Sequence, residues 1–249
     1  MRVAVKIGYD GSRFHGFAMQ PGKHTVEGEI LERLKKTRAI RERNEAQFQY
    51  ASRTDRGVHA LGNVIAFNCS GDARKILGDM EDIWVFGTAV VDDTFNPRHC
   101  ISKTYRYYVP GKGLDCEKMV QAAALFMGEH DFSGFARLDE RNPIRTVKNM
   151  TVKNRGEVIT IDVEGKSFLW NQVRRMVAAL IKVGKGENPI DDIREVLQAK
   201  KRVNFGVAPA ENLVLLDVKY DFAFEIDIPD RINIKRMFFT DASQIHRNR

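Results

Sequence analysis

The chain has 249 residues, 43% of them hydrophobic and 29% charged, with 19 glycines and 7 prolines. That composition excludes disordered and fibrous classes and leaves enough apolar side chain for one large domain or two packed ones. The 40 Lys and Arg against 33 Asp and Glu leave a net charge of +7, which favours a polyanionic partner without identifying it.

Residues 1–9 alternate, with Val3, Val5, Ile7 and Tyr9 on one side, and so predict a strand with one buried face rather than a signal peptide. No apolar run approaches the ~20 residues of a membrane span. Cys69, Cys100 and Cys116 are too few and too scattered for a disulfide framework or a paired metal motif. A cytoplasmic, reducing location is expected, with no membrane partner. After a loop rich in Gly and aromatics, Thr25 can cap a helix that buries Val26, Ile30, Leu31 and Leu34. Arg33, Lys35, Lys36, Arg38, Arg41 and Arg43 then make either a solvated face or a track for phosphates. Apolar stretches at 48–50, 64–67 and 84–91 complete a β-α-β-β-α-β order.

The second half reads the same way. Strands are predicted at 104–109, 146–152, 158–163 and 213–220, with helices at 117–127 and from 167 to 183. The fold class is therefore α+β, two ferredoxin-like units, with an N-terminal domain over 1–98 and a C-terminal domain over 99–249. Pro97 interrupts regular pairing at the boundary. The tail after Asp221 has no clear pattern. On the 167–183 helix, Leu169, Val173, Met176, Val177, Leu180 and Ile181 share a face. Arg174 flanks that face and Arg175 points away with Lys182, so Arg174 is expected to be the more buried and to need an anionic partner.

The segment Ser52-Arg53-Thr54-Asp55-Arg56-Gly57-Val58-His59-Ala60 sets a carboxylate between two arginines in a polar turn. Alone, it reads as a surface turn in which Asp55 accepts backbone hydrogen bonds. It closely resembles, however, the signature of the TruA family of tRNA pseudouridine synthases. Further resemblances follow in order: Tyr9-Asp10-Gly11-Ser12-Arg13-Phe14-His15-Gly16-Phe17, Phe95-Asn96-Pro97-Arg98, Lys103-Thr104-Tyr105-Arg106-Tyr107-Tyr108, His130-Asp131-Phe132, Asn171-Gln172-Val173-Arg174-Arg175, and Ala208-Pro209-Ala210 before Leu213. Five positions depart from the family pattern. Ser52 replaces Gly, Arg56 a small residue and Gln172 the common Met, while Glu211-Asn212 interrupts the last motif.

The resemblance implies two α/β domains sharing a continuous antiparallel sheet with a central basic cleft, a homodimer, and tRNA as substrate. It implies Asp55, Tyr105 and Arg174 as catalytic residues, and Arg53, Thr54 and Arg98 as substrate-binding ones. The implied reaction is isomerisation of uridine in the anticodon stem-loop, around positions 38 to 40 of tRNA. That reaction breaks N1–C1′ and forms C5–C1′, so neither cofactor nor metal is expected. An ionised carboxylate can attack covalently or remove a sugar proton to give a glycal; both routes stay open. Without the resemblance, Tyr105 would read as a core strand residue in step with Tyr107 and Val109, and Arg53 as a turn-closing one. His15, His59 and His130 lack metal-ligand spacing, and His59 is expected to be satisfied behind Asp55. Two other classes compete: a non-catalytic tRNA-binding or chaperone protein on the same scaffold, and a two-metal RNA hydrolase, for which the carboxylate clusters are missing.

Overall fold

In the computed structural model, which describes residues 1–227 apart from 79, 139 and 141, ten strands and five α-helices are present among the described residues. They fall into two compact units, one of Met1–Ile101 with the segment from Val214 on, the other of Ser102–Leu213.

In the first unit the order β1 (Arg2–Tyr9), α1 (Val26–Lys36), β2 (Gln49–Tyr50), β3 (His59–Asn68), α2 (Ala73–Leu77), β4 (Ile83–Val91) follows the sequence pattern. β1 lies between β3 and β4, antiparallel to both. Val3, Val5, Ile7 and Tyr9 are buried as the alternation requires. The opposite face is covered too, contrary to expectation. Arg2 is 1% exposed, and Lys6 reaches Asp217 at 2.6 Å and lies 4.9 Å from the Phe224 ring. α1 starts where Thr25 Oγ1 accepts from the Gly28 amide at 3.2 Å, and it buries the four apolar residues foreseen.

The second unit runs β5 (Ser102–Pro110), α3 (Cys116–Ala124), β6 (Gly128–Asp131), β7 (Ile144–Asn154), β8 (Val158–Gly165), α4 (Gln172–Gly184), α5 (Ile190–Leu197). Its strands pair in the order β5-β8-β7-β6, all antiparallel. β6 and α5 are additions that the sequence reading lacked. Phe126, Phe132 and Phe135 are buried together, Phe135 edge-on to Phe126 at 4.9 Å. α4 begins later than the expected 167. Asn171 takes a left-handed φ of 62°, and the Leu169 amide donates to the Gln172 side chain at 2.8 Å, so 167–171 form a bend.

The next strand, β9 (Leu213–Lys219), runs parallel to β3, pairing His59 with Val214 and Ala60 with Leu215. The pairing in the first unit is therefore mixed, not wholly antiparallel. It also takes the chain from Val214 on out of the expected 99–249 domain and into the first unit. β10 (Glu225–Ile226) adds to β4 there. Tyr220 stacks on Phe222 at 5.2 Å and Phe95 meets Phe222 edge-on at 5.4 Å, which accounts for the tail as far as Asp227. The rest of the tail, 228–249, lies outside the described residues.

β3 and β9 meet closely because Gly62 has no side chain. A Cβ there would overlap the Leu216 carbonyl and lie 2.8 Å from the Asp217 Cα. Gly62→Ala is expected to destabilise the protein by about 1–3 kcal/mol, as overpacked sites do. The measurement is the urea midpoint; an unchanged midpoint at unchanged slope would mean that β9 is free to yield at this point.

Candidate active site

Residues 51–58 leave β2 and turn into β3, and the sequence supplies buried polar groups to hold that turn. Asn63, in β3 and fully buried, donates from Nδ2 to the Ser52 carbonyl at 3.0 Å and to Tyr9 Oη at 3.1 Å. Its Oδ1 accepts from the Ser52 amide at 3.2 Å and the Val64 amide at 2.9 Å. Tyr9 Oη in turn meets Thr54 Oγ1 at 2.8 Å. The Thr54 carbonyl accepts from the Phe17 amide at 3.0 Å, and the Gly57 amide reaches the Gly11 carbonyl at 3.3 Å. A Cβ on Gly11 would overlap the Val58 carbonyl, so the 9–17 and 52–60 motifs touch backbone to backbone. Asp55 is half-buried within this frame, and Arg56 is exposed.

His59 is buried behind the turn, where its Nδ1 lies 3.2 Å from both the Gly11 amide and Asp10 Oδ1. One nitrogen cannot serve both at once. With Nδ1 unprotonated the ring accepts from Gly11; with a proton on Nδ1 it donates to Asp10 instead. Asp10 also accepts from the Ser12 amide at 3.0 Å and the Ser12 hydroxyl at 2.7 Å. The hydrogen bond from His59, with those from Ser12, holds the Asp10 carboxyl below the usual range, at about 2, against the opposing effect of burial.

Arg53 and Arg98, both exposed, converge on the buried Tyr50. Arg53 Nε donates to Tyr50 Oη at 2.8 Å, and the two guanidinium carbons lie 5.7 and 5.5 Å from the ring centre. Thr54, by contrast, is buried and faces Tyr9, a place suited to anchoring the turn.

In the second unit, Tyr105 is half-buried on β5 and meets Phe168 edge-on at 5.5 Å, while its strand neighbours Tyr107 and Val109 are buried. Tyr107 donates to the Pro209 carbonyl at 2.9 Å, and burial pushes its phenol up to about 12. Arg174 Nε donates to the Ala208 carbonyl at 2.7 Å, Nη1 donates to Asn171 Oδ1 at 3.2 Å, and the Arg174 carbonyl accepts from the Ala208 amide. The Ala-Pro-Ala loop therefore ties the tyrosine strand to the arginine helix.

Two expectations change. Arg175 does not point into solvent: it is half-buried like Arg174, and its Nε is enclosed without a hydrogen bond. Both arginines lie within α4, and their equal burial reflects what packs around the helix, which a projection does not show. In the basic run over 33–43, three of the six side chains are engaged within the fold. Arg33 caps the carbonyls of Ile76 and Leu77, Lys35 pairs with Glu42, and Arg43 pairs with buried Glu27 at 2.8 Å. His59 is satisfied behind Asp55, as expected.

Tyr50, Asn63 and Phe168 went unnoticed in the sequence. The signal for Asn63 was an amide within an otherwise apolar strand, a residue type that must find partners when buried.

A family profile described as tRNA pseudouridine synthase matches residues 122–221. The tRNA pseudouridine synthase A of Thermococcus sibiricus is 46% identical, the match covering 96% of this chain and 92% of that protein. The chain belongs to the TruA family of tRNA pseudouridine synthases. Other TruA relatives are the proteins of Pyrococcus furiosus, 44% identical over 91% of this chain and 87% of that one, and of Methanothermobacter thermautotrophicus, 42% identical over 88% and 81%. A chain of a Cbf5-Nop10-Gar1 complex superimposes with a TM-score of 0.36 at 12% identity, covering 72% of this chain and 45% of that one, too loose a match to build on.

Within this TruA member, the Asp10 carboxyl gives a pH signature. Its pKa falls from 3.8 to about 2 on folding. The stabilisation is therefore complete above the unfolded value and is lost as pH falls through about 2. Because the group is partly exposed, Asp10→Asn is expected to destabilise by on the order of 1 kcal/mol near pH 6. The gap to wild type should close between about pH 4 and pH 2, followed by thermal midpoints. A gap that stays constant over that range would rule out the carboxylate as its source.

Proposed function

We propose that the protein isomerises uridine to pseudouridine in tRNA, with Asp55 as the essential carboxylate, Tyr105 stacked on the target base and Arg174 paired with Asp55. The observation that carries this reading is family membership over nearly the whole chain, with Asp55 held on a turn whose backbone is locked by buried hydrogen bonds. Preorganisation matters because the uridine must be cleaved at N1–C1′, turned and rejoined at C5 without leaving. Asp55 acts ionised, either on C1′ or on a sugar proton, and a guanidinium beside it favours that form. Arg53 and Arg98 contact the RNA backbone, and Arg53 helps draw the nucleotide out of its stack, a step that costs a few kcal/mol. Thr54 supports the turn that presents them. We extend the proposal to uridines around positions 38 to 40 of the anticodon stem-loop, to a basic cleft in which Asp55, Tyr105 and Arg174 meet on a sheet shared by both units, and to a homodimer that engages one tRNA. Light scattering tests the last point.

Asp55→Asn keeps the shape of the side chain and removes its charge. Release of tritium from tRNA labelled at uridine C5 is expected to vanish while tRNA affinity stays within a few-fold, since removing a carboxylate adds no repulsion toward phosphate. Wild-type release by the variant would remove Asp55 from the chemistry. A wild-type protein that binds tRNA and releases no tritium would favour a non-catalytic binding protein.

Tyr105→Phe retains the ring and loses the hydroxyl, so turnover should fall more than affinity. Tyr105→Ala should lower both, with binding weaker by about 1–3 kcal/mol for the lost stack. Wild-type turnover in both variants would exclude Tyr105 from the site.

A further inference from the structure

The first unit holds a cavity of about 430 Å³ lined by Arg43, Arg53, Arg98 and Tyr50, with no carboxylate in its wall. Arg43 is neutralised by Glu27. Arg53 and Arg98 are not: among the described residues neither has a carboxylate within 4 Å, although both guanidinium groups bear on one tyrosine ring. Like charges gathered at one place repel unless an anion joins them.

A third cation lies beneath. Among the described residues, the guanidinium of Arg2, almost wholly buried, is held by neutral acceptors: the carbonyls of Phe95 and Gln47 and the side chains of Asn68 and Gln49, at 2.8–3.3 Å. Gln47 and Gln49 also line the cavity. Asp93 acts on Arg2 from a distance and forms no ion pair with it. A buried guanidinium without a counter-ion is costly, and its field emerges where Gln47 and Gln49 separate it from the cavity.

We propose that this cavity is a second nucleotide subsite: Arg53 and Arg98 grip a phosphate, Arg2 adds potential from below, and the side chains of Asn44 and Gln47 meet the edge of a base. The proposal rests on RNA as the substrate and concerns a nucleotide other than the uridine at Asp55. The volume falls in the ~300–1,000 Å³ range of small-molecule sites and exceeds what a phosphate fills. Guanidinium planes bind phosphate in bidentate fashion and also stack on bases, whereas the buried Tyr50 ring serves to hold the two close together. The amides carry both donors and acceptors, as recognition of a base edge needs.

The test uses adenosine 5′-monophosphate, whose purine is not the reacting base, titrated into the full-length Asp55→Asn protein with ¹⁵N-labelled arginine side chains. The Arg53 and Arg98 Nε–Hε signals should shift saturably, with affinity at least about tenfold above that of adenosine or inorganic phosphate. Arg98→Gln, an exposed substitution, should weaken binding at least about tenfold, while Arg74→Gln on the same unit should not. Absence of a shift, affinity equal to that of inorganic phosphate, or an indifferent Arg98→Gln would each overturn the subsite. The outcomes separate from those of the synthase reading. Tritium release by wild type without nucleotide binding overturns the subsite alone, and binding with the expected Arg98 dependence supports it even if no tritium is released.

Discussion

The turn that carries Asp55 depends on one buried amide. Asn63 sits in the middle of β3 with no exposure, and it satisfies the amide and carbonyl of Ser52 together with the Tyr9 hydroxyl. An apolar residue there would take this partner from the amide and carbonyl of Ser52, each worth about 1–3 kcal/mol when unpaired, and leave the Tyr9 hydroxyl to Thr54 alone. Because Tyr9 closes β1 and Ser52 opens the turn, the amide fixes the spacing between a central strand and the segment with the candidate carboxylate. The cost of ordering a polar turn is thus met by the core, and Asp55 itself need not hold the turn in place.

The legible parts of the sequence were local. Alternation at Val3, Val5, Ile7 and Tyr9 marks a strand whatever surrounds it, and Thr25 marks a helix start through its own hydroxyl. What escaped was set by distant partners. Arg2 and Lys6 look like the solvent side of an amphipathic strand, but Phe95, Gln47, Asp217 and Phe224 cover them. β9 carries no sign of its parallel partner, since pairing with β3 joins residues more than 150 positions apart. The start of α4 turned on a side-chain bond accepted by Gln172, and the equal half-burial of Arg174 and Arg175 depends on packing that a helical projection does not show. The motif residues of the site were readable through resemblance. Their partners Tyr50, Asn63 and Phe168 were not, because hydrophobic patterning says nothing of which buried polar or aromatic side chain meets which.

Net charge is likewise a poor guide to where an anion binds. In the densest basic run, over 33–43, three of six side chains are already engaged with carbonyls and carboxylates of the fold. Arg53 and Arg98 are separated by 45 positions and stand out in no linear count, yet they share Tyr50 and lack carboxylate partners among the described residues. A cation already paired within the protein offers little to a ligand, because binding would have to break the existing pair. The useful measure of a basic surface is the charge left uncompensated after folding.

The same reasoning applies to the second unit. Arg174 is gripped by the Ala208 carbonyl and by Asn171, and these two bonds fix its position. Tyr107 binds the next carbonyl of the same loop, at Pro209. One short loop therefore sets both the helix that bears Arg174 and the strand that bears Tyr105, two residues before Tyr107. Glycine at any of its three positions would loosen both together, whereas alanine and proline restrict the unfolded chain more and leave less entropy to lose. The Ala-Pro-Ala motif needs no reactive atom to matter: its carbonyls hold Tyr107 and Arg174, and with them the elements that bear the candidate site residues of this unit.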